Sequence, residues 1–223
     1  MQIYEFFPED SSRENLIKVQ HMVAKRAIIK DDFKNIRFIA AADQAFLDKL
    51  IISGIILLDF HSLEIIERVF SIQPVSFPYI STFLSFREGP AIVNAFKKLK
   101  TRHDILLIDG AGINHPHNAG LATHVGVALD LPTIGITKTI LCGKGVEPTN
   151  VGEASPLVHT DRTVGWLLKS RQKSKPIVIA PGHRVSLDSS ISIVKSCLGG
   201  HKLPEPARLA HEYANMCKNE QTT

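Results

Sequence analysis

A chain of 223 residues with a net charge of +4, 44% apolar and 22% charged residues has the length and balance for one domain with a sizeable core. Its three cysteines, Cys142, Cys197 and Cys217, are too few and too scattered for a disulfide framework or a zinc cluster. The acidic start MQIYEFFPED lacks the form of a secretion signal, and no run of about 18 apolar residues is present to span a membrane. These exclusions leave a single domain over residues 1–223, expected to be a monomer in a reducing, cytoplasmic setting. The small positive excess is compatible with a polyanionic partner.

Ser11-Ser-Arg-Glu14 has the form of a capping box and predicts a helix to about Lys30, with Leu16, Val19, Val23 and Ala27 on one face. Residues 36–42 read as a strand that ends by delivering Asp43. Two more strands, about Leu50 to Asp59 and Glu64 to Val75, follow across short polar connections, so a three-strand meander is the economical arrangement. The loop Phe77-Pro-Tyr-Ile-Ser-Thr82 leads to Arg87-Glu-Gly-Pro90, where the proline suits the first turn of a helix running to about Lys100. The apolar run Ile105–Ile108 then ends on Asp109 and enters the glycine-rich loop Gly110-Ala-Gly112. A helix from about Asn118 to Leu129 precedes a second apolar run, Pro132 to Ile136, that ends at Lys138.

Beyond Cys142 an exposed loop over 143–155 and a hairpin of Ser155–Thr160 with Thr163–Lys169 are expected. Pro176–Ala180 reads as a buried strand broken by Pro181-Gly182, Ser186–Leu198 as a helix, and Pro204 as the start of a last helix holding His211. Meander, helix, parallel strand, helix, parallel strand is the connectivity of an α/β fold with a ribonuclease H-like mixed sheet flanked by helices.

Asp43 and Asp109 each end an apolar strand in this reading, and Glu88 opens a helix. With the first and fourth strands adjacent, the two aspartates lie side by side, and such a pair calls for a bound cation or a raised pKa. Mg²⁺ prefers oxygen ligands and bridges carboxylates to substrate phosphates, and a phosphodiester hydrolase is the direct consequence. Taken singly, each residue has a plainer reading. A strand-end Asp is a turn former, Glu88 a favourable first-turn acid and Lys138 a solvated cation. His115 and His117 are no zinc pair, with a proline between them and no cysteine near. Only the combination favours phosphate chemistry.

Five ordered segments carry more: Phe86-Arg-Glu-Gly-Pro90, Asp109-Gly-Ala-Gly-Ile-Asn-His-Pro116, Gly120-Leu-Ala-Thr-His124, Pro132-Thr-Ile-Gly135 with Lys138, and Pro181-Gly-His-Arg184. In these the chain resembles the endonuclease V family of DNA and RNA repair nucleases, from about Ala42 to His211. The resemblance implies a ribonuclease H-like core, a requirement for Mg²⁺ or Mn²⁺, and metal-activated water attack at the second phosphodiester bond 3′ to deoxyinosine in DNA. By position it implies Asp43, Glu88 and Asp109 as catalytic metal ligands, with His211 and Lys138 completing the catalytic set. Nucleic-acid contacts are implied for Tyr79 and Ile80 of a strand-separating wedge, for Leu84, Gly110, Gly120 and Leu121, and for His115 at the phosphate backbone.

The family's wedge commonly reads Pro-Tyr-Ile-Pro-Gly, whereas this chain has Pro78-Tyr-Ile-Ser-Thr82, which loosens the expected loop. Three rivals stand beside this reading: an inosine-directed endoribonuclease, a catalytically silent nucleic-acid-binding module, and a phosphodiesterase of small nucleotides.

Overall fold

Alternation along the strands sorts their apolar side chains onto two faces of one sheet. Ile39, Ala41, Ile105 and Leu107 turn to one side, and Ala40, Ala42, Leu106 and Ile108 to the other. Both faces are covered, which is why these strands read as nearly continuous apolar runs. The computed structural model describes residues 5–221; Met1–Tyr4 of the acidic N-terminal stretch and Thr222–Thr223 lie outside the described residues.

Strands β1 (Phe38–Leu47), β2 (Leu50–Asp59) and β3 (Ile65–Pro74) form the expected antiparallel meander. Strands β4 (Ile105–Asp109) and β5 (Thr133–Thr137) continue it in parallel from β1. The hairpin β6 (Ala154–His159) and β7 (Arg162–Leu168) joins through β8 (Ile177–His183), which runs antiparallel to β5. The full order is β3-β2-β1-β4-β5-β8-β7-β6. Helices α2 (Leu84–Phe96) and α3 (Leu121–Leu129) cover one face, and α4 (Leu187–Ser196) and α5 (Glu205–Glu220) the other. Helix α1 (Arg13–Arg26) packs outside α2 and α3 through Leu16, Val19 and Val23. Among the described residues, no helix is long and apolar enough to cross a membrane.

Four boundaries differ from the sequence expectation, each for a tertiary reason. Helix α1 is capped by Ser12 and stops at Arg26, because the chain beyond is claimed elsewhere. Ile28 donates its N–H to His183 Nδ1 at 3.2 Å, the Asp31 carboxylate accepts from Ser186 N at 2.7 Å, and Asp32 pairs with Arg184. Strand β1 does not end at Asp43 but continues to Leu47, pairing along β2 to a two-residue turn in which Asp48 has a φ of 49°. Helix α2 starts at Leu84, so Pro90 and Glu88 are interior rather than first-turn residues. Pro90 lacks the N–H that the Phe86 carbonyl would accept, while Phe83 and Phe86 pack against Phe6 and Leu16 and offset that loss. Strand β8 runs through Pro181-Gly182, with its register against β5 slipping between Thr133 and Ile134.

Candidate active site

Parallel pairing of β1 and β4 ends at Ala42 opposite Ile108. The next residues, Asp43 and Asp109, therefore stand side by side at the carboxyl edge of the parallel strands, where ligands gather in open α/β sheets. Asp43 is at this edge although its own strand continues, because the β1–β2 hairpin projects past the end of β4. Both aspartates continue the side-chain rows that face α5, Asp43 after Ile39 and Ala41, and Asp109 after Ile105 and Leu107.

That helix closes over Asp43. His211 Nδ1 lies 2.6 Å from Asp43 Oδ2, and the Gln44 N–H donates to Asp43 Oδ1 at 2.7 Å. Asn215 Nδ2 sits 3.3 Å from His211 Nε2, so a neutral ring protonated on Nδ1 satisfies both contacts. The approach depends on Gly54, the partner of Asp43 on β2. A Cβ there would meet Ala214 Cα and N at 3.0 Å, one helical turn from His211. Gly54→Val is expected to displace α5, lowering stability by ~1–3 kcal/mol and weakening cleavage through the lost Asp43–His211 contact. A thermal melt and a cleavage assay on the same preparation read both effects, and an unshifted melt with full activity removes this role for Gly54.

Glu88 enters from the other face, on α2, and is buried at 8% exposure. Among the described residues, none gives its carboxyl a hydrogen bond or an ion pair. Burial, reinforced by the charges of Asp109 and Asp43, pushes its pKa up to about 8. Burial and then Asp43 push Asp109 up to about 6, against the opposing pull of Lys138, whose Nζ is 3.5 Å from Asp109 Oδ2. Three carboxyl groups thus crowd a single edge with too little positive charge to balance them. Among the described residues, no three His, Cys, Asp or Glu side chains are closed into a ready-made metal cage. The donors are all oxygen, the set a hard cation with retained waters takes.

Beside the carboxylates lies a pocket of 320 Å³. It brings together the sequence-predicted Tyr79, Leu84, Gly110, His115, Gly120 and Leu121, with Asp109 and Lys138 on its rim. Ile80 is half exposed nearby and does not line it. Gly110 makes room for the Leu121 side chain, and Gly120 packs onto the Ala111 carbonyl, where a Cβ would fall at 2.3 Å. The glycines thereby draw the loop after β4 onto the start of α3, so backbone forms much of the wall.

His115 differs from its expected place at a phosphate. It is 2% exposed, accepts from His117 N at 3.1 Å through Nδ1, and donates through Nε2 to the Thr82 carbonyl at 3.0 Å. Burial lowers its pKa to about 4, so the ring is neutral and has no charge to offer a phosphate. Its partner at Thr82 is Gln20, which the sequence reading did not single out. This fully buried α1 side chain donates to the same carbonyl at 2.5 Å and holds His117 Nδ1 at 2.7 Å. Two side-chain donors on Thr82 thus supply a restraint that the missing wedge proline would otherwise give. The available signal was a glutamine four residues after Leu16, inside the apolar stripe of α1.

An acid-crowded edge of a ribonuclease H-like sheet, with a lysine and a backbone-walled pocket beside it, has the composition of a nuclease, a hydrolase of phosphodiester bonds. The family model described as Endonuclease V matches residues 21–212. The chain belongs to the Endonuclease V family. Endonuclease V of Rippkaea orientalis is 40% identical over 218 residues, covering 96% of this chain and 95% of that protein. The crystal structure of the Bacillus subtilis Endonuclease V superposes with a TM-score of 0.93 at 31% identity, covering 100% of this chain and 98% of that one. A Ciona intestinalis Endonuclease V, in complex with a 23mer DNA containing an inosine followed by a ribo-adenosine, shares the fold at a TM-score of 0.82 and 22% identity over 95% and 98% of the two chains.

Proposed function

We propose that this chain is a metal-dependent endonuclease that cleaves DNA at the second phosphodiester bond 3′ to deoxyinosine. The observation that carries the reading is the convergence of Asp43, Glu88 and Asp109 beside the pocket between α2 and α3. An all-oxygen donor set with one buried, unpartnered carboxyl fits Mg²⁺, with Mn²⁺ as a substitute. Asp43, Glu88 and Asp109 would hold that ion, which supplies charge neutralisation at the phosphate and acidifies water.

The chain's own groups do the rest. Lys138 Nζ offers positive charge beside Asp109, where negative charge grows during displacement. His211, fixed through Nδ1 by Asp43, keeps Nε2 at the half-open edge, where a water that displaces the 3.3 Å Asn215 contact would donate to it. Cleavage leaves a 5′-phosphate and a 3′-hydroxyl. The pocket takes the base out of the stack, which costs least for a mispaired one. Hypoxanthine lacks guanine's 2-amino group, so a tight backbone wall admits the first and leaves the second with an unpaired donor. Tyr79, 70% exposed on the loop before α2 and lining the pocket, would fill the gap the base leaves.

Tyr79→Ala is expected to reduce the preference for a deoxyinosine strand over an undamaged one by about tenfold, as stacking worth ~1–3 kcal/mol is lost, while cation affinity stays as before. Equal discrimination by the variant and the wild type removes the wedge role. The whole reading is tested with matched oligonucleotides carrying one deoxyinosine, one RNA inosine or guanine, cut with Mg²⁺ and with chelator. Metal-dependent cleavage 3′ of deoxyinosine supports it, and cleavage of guanine strands at the same rate overturns it. A preference for RNA would favour the second reading, an inosine-directed endoribonuclease. That reading draws support from the ribo-adenosine that follows inosine in the ligand of the Ciona protein.

A further inference from the structure

The turn joining β7 to β8, Lys169-Ser-Arg-Gln-Lys-Ser-Lys175, carries four cations in seven residues, and no Asp or Glu occurs from Arg162 to Leu187. Register fixes where this turn falls. Thr137 of β5 pairs with Val178 of β8, so Ile177 falls level with Lys138 and the next residues, Pro176 and Lys175, lie just past it, at the same edge of the sheet as Asp109. A groove of 180 Å³ joins the two, with Lys138 and Thr139 on one side, Lys175 and Pro176 on the other, and Glu147 as its acid. Lys138 and Thr139 also line the pocket beside the carboxylates, so groove and pocket share a wall.

The charges on this turn are held ready but unspent. Lys169 donates from Nζ to the Ser174 carbonyl at 2.7 Å and clamps the turn across its width. Arg171, Lys173 and Lys175 are exposed, and among the described residues none of the three makes a side-chain hydrogen bond or an ion pair. Lys173 stands at a φ of 59°, a backbone position that suits asparagine or glycine better than lysine. Three like charges on a braced turn repel one another, and nothing in the fold gains from them. A polyanion would. Neighbouring strands are ~4.8 Å apart, which puts the turn roughly 5–10 Å from Lys138 along the edge, within reach of phosphates next to the one being cut.

We propose that the β7–β8 turn is a phosphate track, on which Arg171, Lys173 and Lys175 hold the backbone of the nucleic-acid arm leaving the catalytic edge on the β8 side. The proposal rests on the nuclease reading and adds to it a second, sequence-independent contact beyond Lys138. Phosphate contacts of this kind fix register and carry no base information.

The test is the variant Arg171→Gln/Lys173→Asn/Lys175→Gln, whose substitutions lie on the surface and suit the backbone they occupy. Binding to a duplex with one deoxyinosine, and to its undamaged counterpart, is measured in chelator over a range of salt. Each lost phosphate contact lowers the slope of log affinity against log salt by about 0.9, so the triple variant should be shallower by about 2 to 3 and weaker by about tenfold or more near 0.1 M salt. Arg171→Lys/Lys173→Arg/Lys175→Arg, which keeps the charges, should keep the wild-type slope. Duplexes trimmed close to the lesion on one arm or the other give the direction: one trim should abolish the difference between variant and wild type, and the other should leave it. An unchanged slope overturns the proposal, as does a difference that survives both trims, since that marks a diffuse field rather than a track. A wild type that binds both duplexes alike would instead remove the lesion reading, while the salt slope on the undamaged duplex still decides the turn.

Discussion

Asp109→Asn is expected to abolish cleavage, a fall of about 10³-fold or more, because a metal-centred displacement loses several kcal/mol of charge stabilisation with one ligand gone. The fold should not suffer. Asp109 is held above the ordinary carboxylate range by burial and by Asp43, so a neutral amide relieves repulsion that the native pair carries. Asp43→Asn should lose as much activity but behave worse in a melt. The new amide would point N–H at His211 Nδ1, and the ring has Asn215 Nδ2 waiting at Nε2, so either tautomer leaves two donors facing each other. Single-turnover cleavage and thermal melts of both variants check this, and retained activity in either would remove the shared carboxylate site.

Glu88→Gln is expected to stabilise the metal-free protein while inactivating it. Proton linkage sets the sign. An unfolded glutamate titrates near 4.5, whereas Glu88 in the fold titrates at about 8. Below the first value both states are protonated and no penalty exists. As pH rises toward 8 the unfolded chain has released a proton that the folded one still holds, so stability falls, and the full penalty is present above 8. Its size is on the order of 5 kcal/mol, a large share of a domain's stability. The stripped wild type should therefore melt at steadily lower temperature from pH 5 to 8, and added Mn²⁺ or Mg²⁺ should reverse the loss. The Glu88→Gln variant should show a flatter profile and little response to the ion. Parallel melting profiles for the two proteins would mean that Glu88 is neither charged against its surroundings nor near the cation.

The pairing of strands 1 and 4, and with it the Asp43–Asp109 neighbourhood, was legible because apolar runs of that length bounded by Asp and Gly leave few topologies. What was not legible came from distant partners. Asp43 reads as a strand terminus because Asp43 to Lys49 has the look of a polar connection, yet Ala45, Phe46 and Leu47 find β2 and extend the hairpin. Pro90 reads as a helix start, but the aromatic packing of Phe83 and Phe86 outweighs its missing N–H and sets Glu88 in mid-helix. Pro181-Gly182 reads as a break, yet a register slip absorbs it. Resemblance assigns His115 to a phosphate, and only the Thr82 carbonyl, 33 residues away, explains its burial. Periodicity reports which face of an element is apolar; it is silent on which remote carbonyl a histidine will meet.

The contact between His211 and Asp43 spans 168 residues of chain. Contacts of such separation are among the last to be gained, because the loop they close must first be ordered. During synthesis the three acidic residues emerge well before the helix that closes over the first of them. A half-made chain therefore has its acids and no fixed histidine. The hydrolytic edge is completed by the same helix that seals one face of the sheet, which ties the power to cut a phosphodiester backbone to the possession of a finished fold.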